Sequence, residues 1–268
     1  MLIAHSGDGA DDGERAGRPV TRRAIIGGVA GAGLLEMLSM ASPVRNEAMA
    51  DEAIAGHSVF TAEAPHIYTR AQWKARPPKR PAKVLNRAPD HIIVHHTATA
   101  NSSDRSLSHA FALSRGIQNV HMDKNGWDDT GQQLTISRGG IVMEGRNRSL
   151  QSIRAGDLVV GAQVLHNNDH TIGIENEGTY TSRAVPGALW KSLVEVCVWL
   201  CQTYALDPSR AIVGHRDFNK TSCPGDRLYA RLPELRRSVA ARLEGSSTSS
   251  SATTDPGLSL FPPLDGLT

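Results

Sequence analysis

The run HIIVHH, residues 91 to 96, limits what this chain can fold into more than any other stretch. Ile92, Ile93 and Val94 are apolar at consecutive positions, between Asp90 and the small polar segment that starts at Thr97. A strand with one wet face alternates apolar with polar, so an unbroken apolar run reads as a short strand buried on both faces and closing into a loop. Such a strand needs neighbours. LTISRGGIVMEGR reads as two strands joined at Arg138-Gly139-Gly140, HTIGIENEG as another short apolar strand, and AIVGH as a further one. Helical patterns lie between them. From Ser102, serine caps and apolar residues at helical spacing run to about Asn125-Gly126. GALWKSLVEVCVWLCQTYAL sets Leu189, Leu193, Val196, Leu200 and Tyr204 on one stripe, and a closing helix opens on Pro224. Strands and helices interleaved along one segment predict an α/β fold, a single domain over 63–242 with a central mixed β-sheet flanked by helices.

The ends of the chain read differently. TRRAIIGGVAGAGLLEMLSMA places Arg22-Arg23 directly before an apolar, glycine-rich stretch that Glu36 interrupts and that is too short to span a bilayer. With the small-residue triplet Ala48-Met49-Ala50 after it, residues 1–50 are expected to be an export signal of the twin-arginine type. A linker over 51–62 follows, and residues 243–268 are expected to be a disordered Ser/Thr/Pro-rich tail. The expected location is secreted or periplasmic, with no stable membrane span once the signal is removed. Lysine and arginine total 29 against 27 acids, and no basic run stands out between 60 and 242, so a nucleic-acid partner has no electrostatic footprint. A monomer is the expected state.

Three cysteines are too few for a disulfide framework. Cys197 and Cys201 fall on adjacent turns of one predicted helix, a poor frame for that bond, and read as core filling. Cys223 stands apart in GHRDFNKTSC, eight positions after His215. An unpaired thiol in an exported protein is open to oxidation unless something holds it. A histidine at the end of the 92–94 strand, a second after AIVG, and this cysteine form a set of three zinc ligands, with a fourth position left for water. Imidazole and thiolate both suit zinc, whereas calcium and magnesium call for oxygen. The spacing alone fits equally well a turn histidine and a small buried cysteine that hold no metal.

Further residues join these. HIYTRAQWKAR (66–76), IIVHHTA (92–98), GWDDTGQ (126–132), ISRGGIVMEGR (136–146), GAQ (161–163), TIGIENEG (171–178) and GHRDFNKTSCPGDRLY (214–229) together resemble the zinc-dependent N-acetylmuramoyl-L-alanine amidase superfamily, which includes the peptidoglycan recognition proteins. The resemblance covers most of the predicted domain, and its last motif is the most specific. It implies that His95, His215 and Cys223 bind zinc. Neighbours on a strand point to opposite faces, so His96 is left a packing or supporting role.

Two positions depart from the family pattern. Where many relatives supply a tyrosine near the metal, this chain has Gly131-Gln132-Gln133, and glutamine cannot accept a proton at neutral pH. The cytoplasmic amidases that recycle wall fragments also lack that tyrosine and use the first glutamate of IGIELEG, so the resemblance makes Glu175 of IGIENEG the general base. Gln163 stands where relatives often carry a histidine. Thr221 is implied as a stabiliser of the oxyanion, and Arg146, Gln132, Gln163 and Lys220 as contacts to a peptidoglycan or muropeptide substrate. The implied activity is cleavage of the amide between N-acetylmuramic acid and L-alanine. The alternative is a non-catalytic recognition module, and relatives of that kind lose the cysteine that this chain keeps.

Overall fold

The computed structural model describes residues 64–248; the expected export signal, the linker and most of the expected tail lie outside the described residues. Eight strands occur in this span: β1 (Ile67–Tyr68), β2 (Val84–Leu85), β3 (His91–His96), β4 (Leu134–Ile136), β5 (Val142–Glu144), β6 (Leu158–Val159), β7 (Thr171–Asn176) and β8 (Ile212–Gly214). The helices are α1 (Leu107–Asn119), α2 (Ser149–Arg154), α3 (Gly187–Tyr204), α4 (Pro208–Ala211), α5 (Asp226–Tyr229) and α6 (Leu232–Thr248). Six strands make the main sheet in the order β1-β5-β4-β7-β3-β8, and β2 pairs with β6 in a separate antiparallel ribbon.

The apolar run at 92–94 is the reason β3 is interior. It lies between β7 and β8, parallel to both, and its three apolar residues are fully buried. β7 continues parallel onto β4, which turns back antiparallel on β5 through Arg138-Gly139-Gly140, so the sheet is mixed as expected. Its two faces do different things. Ile92, Val94, Ile172 and Ile174 point into one apolar core with Leu189, Leu193, Val196 and Leu200 of α3 and Leu235 and Val239 of α6. Each of those leucines contributes about 1.5–3 kcal/mol by leaving water. Cys197 and Cys201 are free and buried in the same core. The alternate residues of the strands face the other way, where Trp73, Met143 and Ala110 form a smaller cluster. That second face carries the polar groups described below.

Several elements differ from the sequence-based expectation. The closing helix is two helices, α5 and α6, because Pro233 lies in the first turn of α6, where its missing N–H is tolerated, and its ring would break a helix running through from α5. α6 then runs to Thr248, past the boundary expected at 242. The first helix widens after Asn119 into one wide turn over Val120–Lys124 before reaching Asn125. β1, β2, β6 and α2 were not anticipated, since two to six residues are too few to show a period.

Candidate metal centre

Parallel register brings the chemistry to one end of the sheet. His95 is the pairing partner of Glu175, and Glu175 in turn is the partner of Thr135, so these three side chains project from one face in neighbouring strands. β8 ends beside Val94 at Gly214, and the chain then makes one tight turn over His215–Asp217. The loop that follows is cross-braced. The Arg216 guanidinium donates to the Cys223 carbonyl and pairs with Asp226 at 2.8 Å, while lying over the Tyr229 ring at 4.7 Å. Asp217 accepts from the Gly214 amide at 2.7 Å and from the Tyr229 hydroxyl at 2.5 Å. Gly225 closes the loop at φ +87°, where a Cβ would lie 2.4 Å from the Tyr180 carbonyl carbon, so no larger residue fits.

This bracing returns Cys223 to the strand ends. One ligand atom each from His95, His215 and Cys223 lies within 4.8 Å of the others, and all three residues are buried. Cys223 Sγ is 3.6 Å from His95 Nδ1, and the two imidazole centroids are 4.6 Å apart. The tautomers follow from the outer contacts. His95 Nε2 meets Gln163 Oε1 at 2.5 Å, and His215 Nε2 meets Asn219 Oδ1 at 3.1 Å. The carboxamides are oriented by their own bonds, Gln163 Nε2 donating to Thr171 Oγ1 at 2.9 Å and Asn219 Oδ1 also accepting from Leu165 N at 3.1 Å. A carboxamide oxygen only accepts, so each Nε2 carries the proton and, in the neutral ring, each Nδ1 carries the lone pair.

The donor set fits zinc. Tetrahedral zinc with bonds of about 2.3 Å to sulfur and about 2.05 Å to nitrogen spaces those two ligands about 3.6 Å apart, the separation found between Cys223 Sγ and His95 Nδ1. Burial pushes the Cys223 thiol up, the nearby Glu175 charge adds to this, and the His96 amide, donating to Sγ at 3.4 Å, opposes it. A thiolate at this depth therefore needs a cation beside it. His96 itself turns to the opposite side, where its Nδ1 accepts from the Tyr180 amide at 3.2 Å.

Of the two carboxylates on β7 and its extension, Glu177 is committed to packing. It takes His109 Nε2 at 2.6 Å and the Arg138 amide at 2.7 Å, tying α1 to the β4–β5 turn. Glu175 is 5% exposed, and burial pushes its carboxyl up to about 8. Thr221 Oγ1 accepts from the Cys223 amide at 3.2 Å, which leaves its hydroxyl hydrogen to donate.

The other expected site residues are distributed differently. Lys220 is exposed on the braced loop. Gln132 is buried with its Nε2 on Thr135 Oγ1, and Gln163 bonds to His95 and Thr171. Arg146 is largely buried, with Nη1 donating to the Thr130 carbonyl; burial lowers its pKa, and Asp129 opposes that shift. Asn219 was not anticipated. Its position four residues after His215, one helical turn on, is the signal that could have found it.

Residues 85–226 match the family model described as N-acetylmuramoyl-L-alanine amidase. A human protein named N-acetylmuramoyl-L-alanine amidase is 32% identical over 167 residues, 62% of this chain and 27% of that protein. The Drosophila melanogaster peptidoglycan-recognition protein LB is 28% identical over 181 residues, covering 68% of this chain and 72% of its own length. The chain thus spans about a quarter of the human relative and about three-quarters of the fly one. Among solved structures, Drosophila peptidoglycan recognition protein SD superposes with a TM-score of 0.56 at 28% identity, over 64% of this chain and 95% of that one. The complex of tracheal cytotoxin with the recognition proteins LCa and LCx gives 0.56 at 27% identity, over 63% and 96%. Motif, fold and donor set agree with the match over 85–226, and the chain belongs to the N-acetylmuramoyl-L-alanine amidase family.

Proposed function

We propose that this chain is an exported, zinc-dependent N-acetylmuramoyl-L-alanine amidase that cleaves the amide between N-acetylmuramic acid and the first L-alanine of the peptidoglycan stem. The observation that carries this reading is the convergence of two imidazoles and one thiol within 4.8 Å, beside a buried carboxylate on the same sheet face. By the resemblance, relatives that only recognise peptidoglycan lose the cysteine that this chain keeps at Cys223.

When bound, zinc supplies a Lewis acid for the amide carbonyl and lowers the pKa of a water from about 15.7 toward about 7. The chain's own residues do the rest. Glu175 accepts the proton of the attacking water and delivers it to the departing amine, and a carboxyl that burial raises toward neutrality suits both halves of that exchange. The Thr221 hydroxyl, anchored by the Cys223 amide, donates to the oxygen on which negative charge develops. Gln163 and Asn219 hold the two imidazoles by their Nε2 hydrogens. The resemblance supports Arg146 and Lys220 as contacts to stem-peptide carboxylates; Lys220 is exposed, whereas Arg146 is largely buried and would have to be uncovered to reach one.

The Arg22-Arg23 pair and the triplet at 48–50 support export by the twin-arginine route, and the mature protein would then begin at Asp51. The test is product analysis on defined muropeptides, with and without a chelator. A free lactyl-terminated glycan and an intact stem peptide are expected, and both vanish with the chelator. Cys223→Ser should lose metal and turnover together. Release of amino acids from within the stem, with the lactyl amide intact, would instead make the protein a peptidase.

A further inference from the structure

The buried centre has a signature: an imidazole whose Nε2 lies on a carboxamide oxygen and whose Nδ1 faces another ligand atom. The same signature recurs at the other end of β3 and β7, on the surface. His170 Nε2 meets Asn167 Oδ1 at 3.1 Å, and Asn167 is oriented by its Nδ2 donating to the Leu165 carbonyl at 2.9 Å. The Nε2 atom of His170 therefore donates, and the lone pair of the neutral ring falls on Nδ1. That Nδ1 is 2.9 Å from Asp90 Oδ1, a carboxylate oxygen with no hydrogen of its own when ionised. Two acceptors at this distance need a positive particle between them, a proton or a metal ion.

The surroundings favour the ion. His91 Nδ1 meets the same Asp90 oxygen at 2.6 Å, and one ligand atom from each of Asp90, His91 and His170 lies within 4.8 Å of the others. The frame is stiff: Asp90 N donates to the His170 carbonyl at 2.9 Å, and His91 is in register with Thr171, the residue after His170. Phe218 packs its ring against both imidazoles, with centroids at 5.2 and 6.1 Å. Side-chain exposures of 60%, 32% and 29% leave the remaining coordination positions to water. Ligand pairs on an ion with bonds of about 2.1 Å are about 3.0–3.4 Å apart, so the 2.9 Å contact needs to open by about 0.1–0.5 Å and the 2.6 Å contact by about 0.4–0.8 Å. Arg87, the nearest cation in sequence, is engaged by Asp169 and not by Asp90.

We propose that Asp90, His91 and His170 form a second metal site on the surface, distinct from the zinc centre and selective for a borderline divalent ion such as zinc or nickel. Two imidazoles and one carboxylate suit such ions, whereas calcium and magnesium prefer oxygen alone. The site is independent of Cys223, so it does not rest on the proposed hydrolase activity.

The test is the zinc stoichiometry of the full chain after chelator treatment, titrated against a chromogenic indicator. Wild type should bind one more ion than the His91→Ala/His170→Ala variant, and Cys223→Ser should retain the surface ion while losing the buried one. The single substitution His170→Gln, measured in the same way, decides the matter if the double variant does not fold. Equal stoichiometry in wild type and these histidine variants overturns the proposal and leaves His170 holding a proton only.

Discussion

The contact between Gln163 and His95 can be broken without touching either residue. Gly173 lies on β7 directly under the Gln163 side chain, and a Cβ added there would come within 2.7 Å of Gln163 Cδ and 2.8 Å of Oε1. Gly173→Ala is compatible with a strand, and removing a glycine from the unfolded chain favours folding by about 0.4–1 kcal/mol. The displaced group is the end of a flexible side chain, so Gln163 swings away and gives up its bonds to His95 and Thr171. Losing two neutral hydrogen bonds costs about 2 kcal/mol of stability, so the fold is left weaker by about 1–1.6 kcal/mol. The effect at the metal is separate. Freeing a ligand imidazole from its outer partner typically weakens metal binding about 10–100-fold, which corresponds to about 1.4–2.7 kcal/mol. Zinc competition against a chromogenic chelator, alongside thermal melts of the chelator-treated protein, should show weaker binding together with a modestly lower melting temperature. A double-mutant cycle sharpens this: Gln163→Ala alone should give the same loss, and adding Gly173→Ala to it should cause little further loss. A Gly173→Ala protein with wild-type zinc affinity would refute the claim that Gln163 orients His95.

Three further outcomes follow from individual groups. Glu175→Gln should keep its zinc yet lose about 10²–10⁴-fold in turnover, and near-normal turnover by muropeptide assay would remove Glu175 from the mechanism. Burial pushes the Cys201 thiol up to about 12 and raises Cys197 well above its usual value, so iodoacetamide at pH 8 should label neither in the folded protein and both in denaturant, read by mass spectrometry. At Asp90, desolvation raises the carboxyl, but hydrogen bonds from His170 and His91 outweigh it and the net shift is downward. Its ionised form therefore adds stability above the unfolded carboxyl value, and that stability is lost as pH falls through the lower folded value; melts of metal-free wild type and Asp90→Asn should differ at pH 6 and converge in acid.

The strands of the main sheet were legible where their residues leave no alternative. Ile92-Ile93-Val94 cannot be solvated on either face, and the Arg138-Gly139-Gly140 turn can hardly do anything but reverse the chain. The α3 stripe was readable for the same reason, since eighteen residues hold five turns of period. β1, β2 and β6, at two residues each, hold no period at all, and are strands only because β5 and each other offer backbone partners. The split between α5 and α6 was written in Pro233, but an apolar spacing that continues through Leu228, Leu232 and Leu235 hides it.

The site divides along the same line. His95, His215 and Cys223 are visible as candidate ligands because a metal ligand must be one of a few residue types, and because they lie near one strand end, just after another, and beside a proline. The groups that aim them are not. Gln163 is 68 residues from His95, and a carboxamide there reads as a substrate contact as readily as an imidazole's anchor. Only the register of β3 on β7, with a glycine at 173 that lets Gln163 lie flat across the strand, makes it the latter. Asn219 joins the two halves: its one oxygen takes both His215 Nε2 and the Leu165 amide, and Leu165 sits two residues after Gln163. A single loop, 161–168, thus sets the orientation of both candidate ligand imidazoles. A substitution that shifts this loop should therefore weaken both ligands at once, although neither histidine is changed.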